Sequence, residues 1–129
     1  MKRLIGLFVL ALILSNFVAC AQSVPPQNSI TVKELKNQVK NDSDLVILDV
    51  RTPEELKGPL GHIDGVVNIP VQQLESRVDE LDKYKGREIA VICRTGHRSG
   101  IGTKILLKHG FTKVENVEGG MTAYRADGN

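Results

Sequence analysis

Cysteine is scarce in this chain of 129 residues, with two in all, and tryptophan is absent. Cys20 sits at the edge of a leader-like segment, which leaves Cys93 without a partner inside the folded part. No structural disulfide is therefore expected there. His62, His97 and His109 fall into no familiar ligand spacing with Cys93, so neither zinc nor any other cofactor is expected. An excess of one charge is lacking as well. The formal +2 comes wholly from Lys2 and Arg3; beyond them, 15 Lys plus Arg balance 15 Asp plus Glu. Aromatic residues make up 4% of the chain and interleave with no basic stripe, so nucleic acid is not an expected partner. The longest apolar run, Leu4 to Leu14, has 11 residues. A permanent bilayer span needs ~20.

What is present begins with an export signal over residues 1–21. Lys2 and Arg3 form a positive head, the apolar run follows, and Ala19, Cys20 and Ala21 supply small residues at a cleavage boundary. Two processing routes overlap. Phe17-Val18-Ala19-Cys20 resembles a bacterial lipoprotein box, with Phe where Leu is usual, and would make a lipidated Cys20 the new N-terminus. Ala19-Cys20-Ala21 also fits ordinary signal peptidase, releasing a soluble chain from Gln22. Either route implies export to a bacterial periplasm, with membrane attachment only through an N-terminal lipid. The remaining 108 to 110 residues suffice for one domain.

Residues 22–29, with Pro25-Pro26, are polar and aperiodic and read as a tether before a domain over residues 30–129. Ile30 begins an edge strand. Thr31-Val32-Lys33-Glu34 is a capping box, and Val32, Leu35 and Val39 give the following helix its expected buried stripe. Leu45 to Leu48 reads as a strand covered on both faces, ending on Asp49-Val50-Arg51. Thr52-Pro53-Glu54-Glu55 is a second capping box, opening a short helix that Gly58-Pro59 stops. A small strand follows at Val66 to Ile69, then an amphipathic helix through Leu74, Val78 and Leu81 that ends near Gly86. Glu88 to Ile92 and Lys113 to Val117 are further strands, and a short tail around Ala123-Tyr124 completes the chain. Apolar strands alternating with helices predict an α/β layer structure, a mainly parallel sheet with helices on both faces. Reactive groups in such sheets gather beyond the carboxyl ends of strands. Asp49-Val50-Arg51 and Cys93 to Arg98 both occupy that position.

Cys93-Arg94-Thr95-Gly96-His97-Arg98-Ser99-Gly100 carries the chemistry. A cysteine stands where a strand ends, and a glycine-containing loop leads into a helix closed by Gly110. Backbone N–H groups of the loop and of the first helical turn can converge on the sulfur and favour the thiolate. Cys93 is thus a candidate nucleophile.

Four motifs in this order resemble the rhodanese family, in particular its small single-domain exported members. Leu48-Asp49-Val50-Arg51 with Glu54-Glu55 is similar to the family's first signature, and Gly61-His62-Ile63-Asp64-Gly65 through Pro70 to its second. Cys93 to Ser99 resembles the active loop, and Val117-Glu118-Gly119-Gly120-Met121 the last motif. Tyr124 stands where the family most often has Trp, and His97 where small polar residues are usual. The resemblance implies a rhodanese-like three-layer fold with a five-stranded sheet. It also implies a sulfurtransferase that takes sulfane sulfur from a small anion such as thiosulfate and passes it to cyanide, a thiol or a protein acceptor. Related phosphatases place five residues between cysteine and arginine; here Arg94, Thr95, Gly96 and His97 make four. A tighter ring of N–H groups suits one sulfur atom better than a tetrahedral phosphate.

On this reading Cys93 forms a persulfide, and no second cysteine is near enough to resolve a disulfide instead. Arg94 reaches the anionic donor with its planar fork. Arg98 either binds donor oxygens or pairs with a carboxylate that fixes the loop. Gly96 supplies a position free of Cβ. Thr95 and Ser99 line the sulfur pocket or cap the helix, and His97 is given no catalytic step. Asp49 and Arg51 are expected behind the loop, the carboxylate accepting loop hydrogen bonds and the arginine joining a buried ion network. A persulfide carrier that depends on a protein partner is the alternative to an enzyme.

Overall fold

The computed structural model describes residues 28–128. The expected signal, Cys20 and the tether as far as residue 27 lie outside the described residues. Five strands and five α-helices follow in the order β1 (Ser29–Ile30), α1 (Val32–Asn41), β2 (Val46–Asp49), α2 (Pro53–Leu56), β3 (Val67–Asn68), α3 (Val71–Arg77), β4 (Ile89–Ile92), α4 (His97–Lys108), β5 (Val114–Val117) and α5 (Gly120–Ala126). Each expected strand is present. The sheet is parallel throughout, in the order β1-β5-β4-β2-β3, so β4 lies at its centre.

Side chains of successive strand residues point to opposite faces, and each strand of the centre feeds two cores. Val46, Leu48 and Val50 of the β2 segment join Ile89, Val91 and Cys93 of the β4 segment against Leu74, Val78, Leu81 and Leu106. On the other face Ile47, Ala90 and Ile92 meet Leu35, Ile63, Val117 and Met121. Burying each such aliphatic side chain contributes about 1.5–3 kcal/mol before chain entropy is counted. This two-sided demand is why the central strands carry no alternating polar residue.

Both capping boxes form as expected. Thr31 and Glu34 exchange side-chain-to-backbone hydrogen bonds at the start of α1, and Thr52 and Glu55 do so at α2. Four expectations are corrected. Val39 is 43% exposed and lies outside the buried stripe of α1, which Leu35 fills alone as a fully buried residue. The amphipathic segment through Leu81 is not one helix: α3 ends at Arg77, and Val78–Tyr84 tightens into a 3-10 helix. That winding still buries both Val78 and Leu81. The tail around Tyr124 is helix α5. β1 begins one residue before Ile30, with Ser29 paired to Asn116. Among the described residues no helix is long and apolar enough to cross a membrane.

Candidate active site

β4 delivers Cys93 to the carboxyl edge of the sheet, in phase with Ile89 and Val91 and so beneath α3 and α4. The thiol is free and 1% exposed. The chain then has three residues to reverse direction before α4 starts at His97. Gly96 completes the reversal at φ 106°, a left-handed value that a side chain would strain. It also serves as the N-cap of α4, and no side chain caps that helix. The expected capping by Thr95 or Ser99 is therefore corrected. A helix start without a side-chain cap leaves donors free, and here they are spent on sulfur. The Gly96 N–H donates to Cys93 Sγ at 3.1 Å, and the Ser99 hydroxyl lies 3.3 Å from the same atom.

Burial alone pushes the Cys93 thiol up. The Ser99 hydroxyl and the backbone N–H groups of Ser99, Gly96 and Thr95 outweigh it, and the thiol ends below its ordinary range. Hydrogen bonds that favour the charged form act in this direction. The site is thus arranged to hold an anionic sulfur in a place closed to bulk water.

The arginines divide by partner. Arg98 Nη1 and Nη2 donate to Glu55 Oε2 and Oε1 at 2.7 and 2.8 Å, tying α4 to α2. Of the two roles expected for Arg98, the carboxylate-bound one is realised. Arg98 holds the Glu55 carboxyl down at about 2 and lies within electrostatic reach of Cys93. Arg51, 1% exposed, forms a bidentate pair with the fully buried Asp49 and also donates to the carbonyl of Gly61. The buried ion pair is as expected. The Asp49 carboxylate, however, accepts from the Arg51 backbone and guanidinium rather than from the Cys93 loop. Asn68 completes that corner by donating to the carbonyls of Asp49 and Arg51.

Arg94 is different. It is exposed and pairs with no carboxylate among the described residues. It lines a groove of about 400 Å³ with Arg51, Glu55, Gly58, Pro59, Leu60 and Thr122. Thr95 and His97 are also exposed. His62 is exposed, its Nδ1 3.3 Å from the carbonyl of Leu56. Among the described residues no group of three or more His, Cys, Asp and Glu could hold a metal ion.

Two features behind the loop are absent from the sequence expectations. Asn116 of β5 bridges the start of α4: its Oδ1 lies 2.6 Å from Ser99 Oγ, and its Nδ2 donates to the carbonyl of Gly96 at 3.2 Å. The other is α5, whose first turn donates from Met121 N to Cys93 O and from Thr122 N to Arg94 O, at 2.8 and 3.0 Å. That approach requires Gly120, because a Cβ there would stand 2.5 Å from Cys93 O. The glycine pair before Met121 was the available signal for so close a contact.

A rhodanese-like domain model matches residues 31–127, which is nearly every described residue. "Putative sulfur carrier protein YrkF" of Bacillus subtilis (strain 168) is 42% identical over 101 residues, 78% of this chain and 51% of the relative. The chain thus spans about half the length of that protein. Thiosulfate sulfurtransferase PspE of Escherichia coli (strain K12) is 35% identical over 72 residues, covering 56% of this chain and 67% of PspE. The crystal structure of a rhodanese-related protein from Thermoplasma volcanium superposes with TM-score 0.69 at 32% identity, covering 78% of this chain and 93% of that one. With the parallel sheet and the cysteine loop already in place, these likenesses lead to one conclusion: the chain belongs to the rhodanese-like domain family, among sulfurtransferases and sulfur carriers.

Proposed function

We propose that this protein is an exported thiosulfate sulfurtransferase that carries sulfane sulfur on Cys93. The observation that supports this reading is the single thiol held at the uncapped start of α4, under the Gly96 N–H and the Ser99 hydroxyl. The thiolate attacks the outer sulfur of thiosulfate, a new S–S bond forms, and the old one breaks with its electron pair leaving on sulfite. The product is a Cys93 persulfide anion. Cyanide or a thiolate then takes the outer sulfur, giving thiocyanate or a small persulfide, and the Cys93 thiolate returns. Arg94 binds the donor's sulfonate oxygens through its exposed guanidinium. N–H donors and the partial positive charge of the helix start stabilise the thiolate and the persulfide alike. The leader-like residues 1–21 support export to a periplasm, with lipidation at Cys20 as the preferred processing route.

Likeness to a named thiosulfate sulfurtransferase supports the donor. A second reading, a persulfide carrier that hands sulfur to a protein partner, draws on the 42% identity to YrkF. One assay separates them. The purified protein should convert thiosulfate and cyanide to thiocyanate and sulfite over many turnovers, and Cys93→Ser should form none. Rapid loading of one sulfur onto Cys93 without turnover on cyanide or small thiols would favour the carrier. Failure to load at all would overturn both readings.

A further inference from the structure

Among the described residues, Asn116 is the one side chain at the site that touches both ends of the sulfur-binding turn without touching sulfur. Its orientation is set by what it meets. The Gly96 carbonyl can only accept, so the atom facing it is Nδ2, and Oδ1 must face Ser99. Oδ1 in turn can only accept, so the Ser99 hydroxyl is the donor in that 2.6 Å bond. A serine hydroxyl has a single proton. The same oxygen lies 3.3 Å from Cys93 Sγ, and a thiolate there needs that proton too.

We propose that Asn116 is a positioning residue that sets the ionisation of Cys93 by competing with its sulfur for the single proton of Ser99. In the neutral state the thiol donates to Ser99 Oγ and Ser99 donates to Asn116 Oδ1, so the whole chain of groups is satisfied. On ionisation the thiol proton leaves to solvent, the Ser99 hydroxyl rotates to the sulfur, and Oδ1 gives up its donor. Loading with sulfur reverses this. The negative charge moves to the outer atom, the inner sulfur becomes a weak acceptor, and the Ser99 proton returns to Asn116. Asn116 therefore disfavours the bare thiolate relative to both the thiol and the persulfide, and pulls the loop toward its sulfur-loaded state. The inference rests on Cys93 as the nucleophile and on no particular donor or acceptor.

Charged and titratable groups also stand on the elements packed around Cys93, and of these Arg98 is electrostatically linked to it. Arg94 and His97 belong to the loop and the start of α4, Arg98 comes with its partner Glu55, Asp49 and Arg51 follow β2, and Glu118 follows β5. None of them is altered by a change at Asn116, so they form a constant background. Two substitutions at this position both remove the bond to Gly96 O but treat the Ser99 proton oppositely. Asn116→Leu offers no acceptor and frees the hydroxyl for sulfur. Asn116→Asp is a stronger acceptor and holds it away.

The test is the pH dependence of Cys93 alkylation by iodoacetamide in the purified protein, which requires no sulfur donor. The alkylation midpoint should fall by about half a pH unit in Asn116→Leu, the scale of one ordinary hydrogen bond no longer given up on ionisation, and rise by about one in Asn116→Asp, the scale of one hydrogen bond to a charged group. If the leucine variant does not fold, Asn116→Ala takes its place with the same expected sign. A clamp acting only through Gly96 would raise the midpoint in Asn116→Leu, because loosening the turn withdraws the Gly96 N–H from sulfur, and Asn116→Asp would raise it by its added negative charge alone, so the leucine variant is the deciding one. Shifts of one sign in both variants, or no shift in either, would overturn the proposal whatever the sulfur-transfer assay shows.

Discussion

Among the described arginines at the carboxyl edge of the sheet, only Arg94 has a guanidinium left over for an anion. Arg51 is spent on Asp49, Arg98 on Glu55, and Arg125 on the carbonyls of Leu60 and His62. Arg51 and Arg98 are thus tied into the fold, while Arg94 stands unpaired beside a groove of about 400 Å³. Arg94→Ala should therefore raise the KM for thiosulfate about tenfold, the loss of roughly 1.4 kcal/mol of charge-assisted binding. Turnover at saturating donor should fall by less than threefold, since the sulfur-holding N–H groups are untouched. Steady-state kinetics with varied thiosulfate check this, and an unchanged KM would remove Arg94 from the donor site. The candidate nucleophile was legible because its signal is local: a buried strand, a cysteine, a glycine and a helix in one stretch. Asn116 was not, since its partners lie 17 and 20 residues away and a polar residue in a strand reads as an exposed one.

At the scale of elements, the loop is held between two helices that came from different kinds of sequence signal. α2 announced itself through Thr52 and Glu55, and the same Glu55 carboxylate that completes the capping box also takes the fork of Arg98. α5 gave no such notice. Two glycines at its start oppose helix formation, and the helix exists because its first N–H groups find the carbonyls of Cys93 and Arg94. Tertiary contact there overrides propensity. The α2–α4 ion pair has a pH dependence of definite sign. Glu55 is depressed to about 2 from an ordinary 4.5, so the pair's contribution is complete above the ordinary value and is lost as pH falls toward 2. Both partners are part-exposed, at 27% and 32%, so the contribution is about 1 kcal/mol after solvent screening. Glu55→Gln should melt lower than the parent at pH ~6 by a few degrees, and the difference should close as both are titrated to pH ~2. A gap that persists at the acidic end would mean that the loss does not come from the charge of Glu55, since glutamine keeps the capping box.

Across the whole molecule, the sheet sets where the folded part begins. Asn116 N donates to Asn28 O, and Ser29 pairs within the sheet, so the chain is already engaged two residues ahead of Ile30. The segment expected as a tether therefore loses residues 28 and 29 to the folded part, and its remainder lies outside the described residues. If Cys20 is lipidated, the tether is at most about 25–30 Å when fully extended, and the domain stays close to its membrane. Intact mass of the membrane fraction checks the route. The expected product carries acyl chains on Cys20, whereas a chain starting at unmodified Gln22 would show release by ordinary signal peptidase. The fold class was readable at this scale because five apolar strand segments, separated by helices, admit few other arrangements. The exposure of Val39 and the 3-10 winding after Arg77 were not, because each depends on which neighbours the finished sheet supplies.

The docking of Met121 and Thr122 onto the carbonyls of Cys93 and Arg94 makes the last turns of the chain a brace for a loop far upstream. A protease that clipped the chain just ahead of Gly120 would leave the thiol, the Gly96 N–H and the Ser99 hydroxyl in one fragment, and would take away the hydrogen bonds that hold the first two carbonyls of the loop.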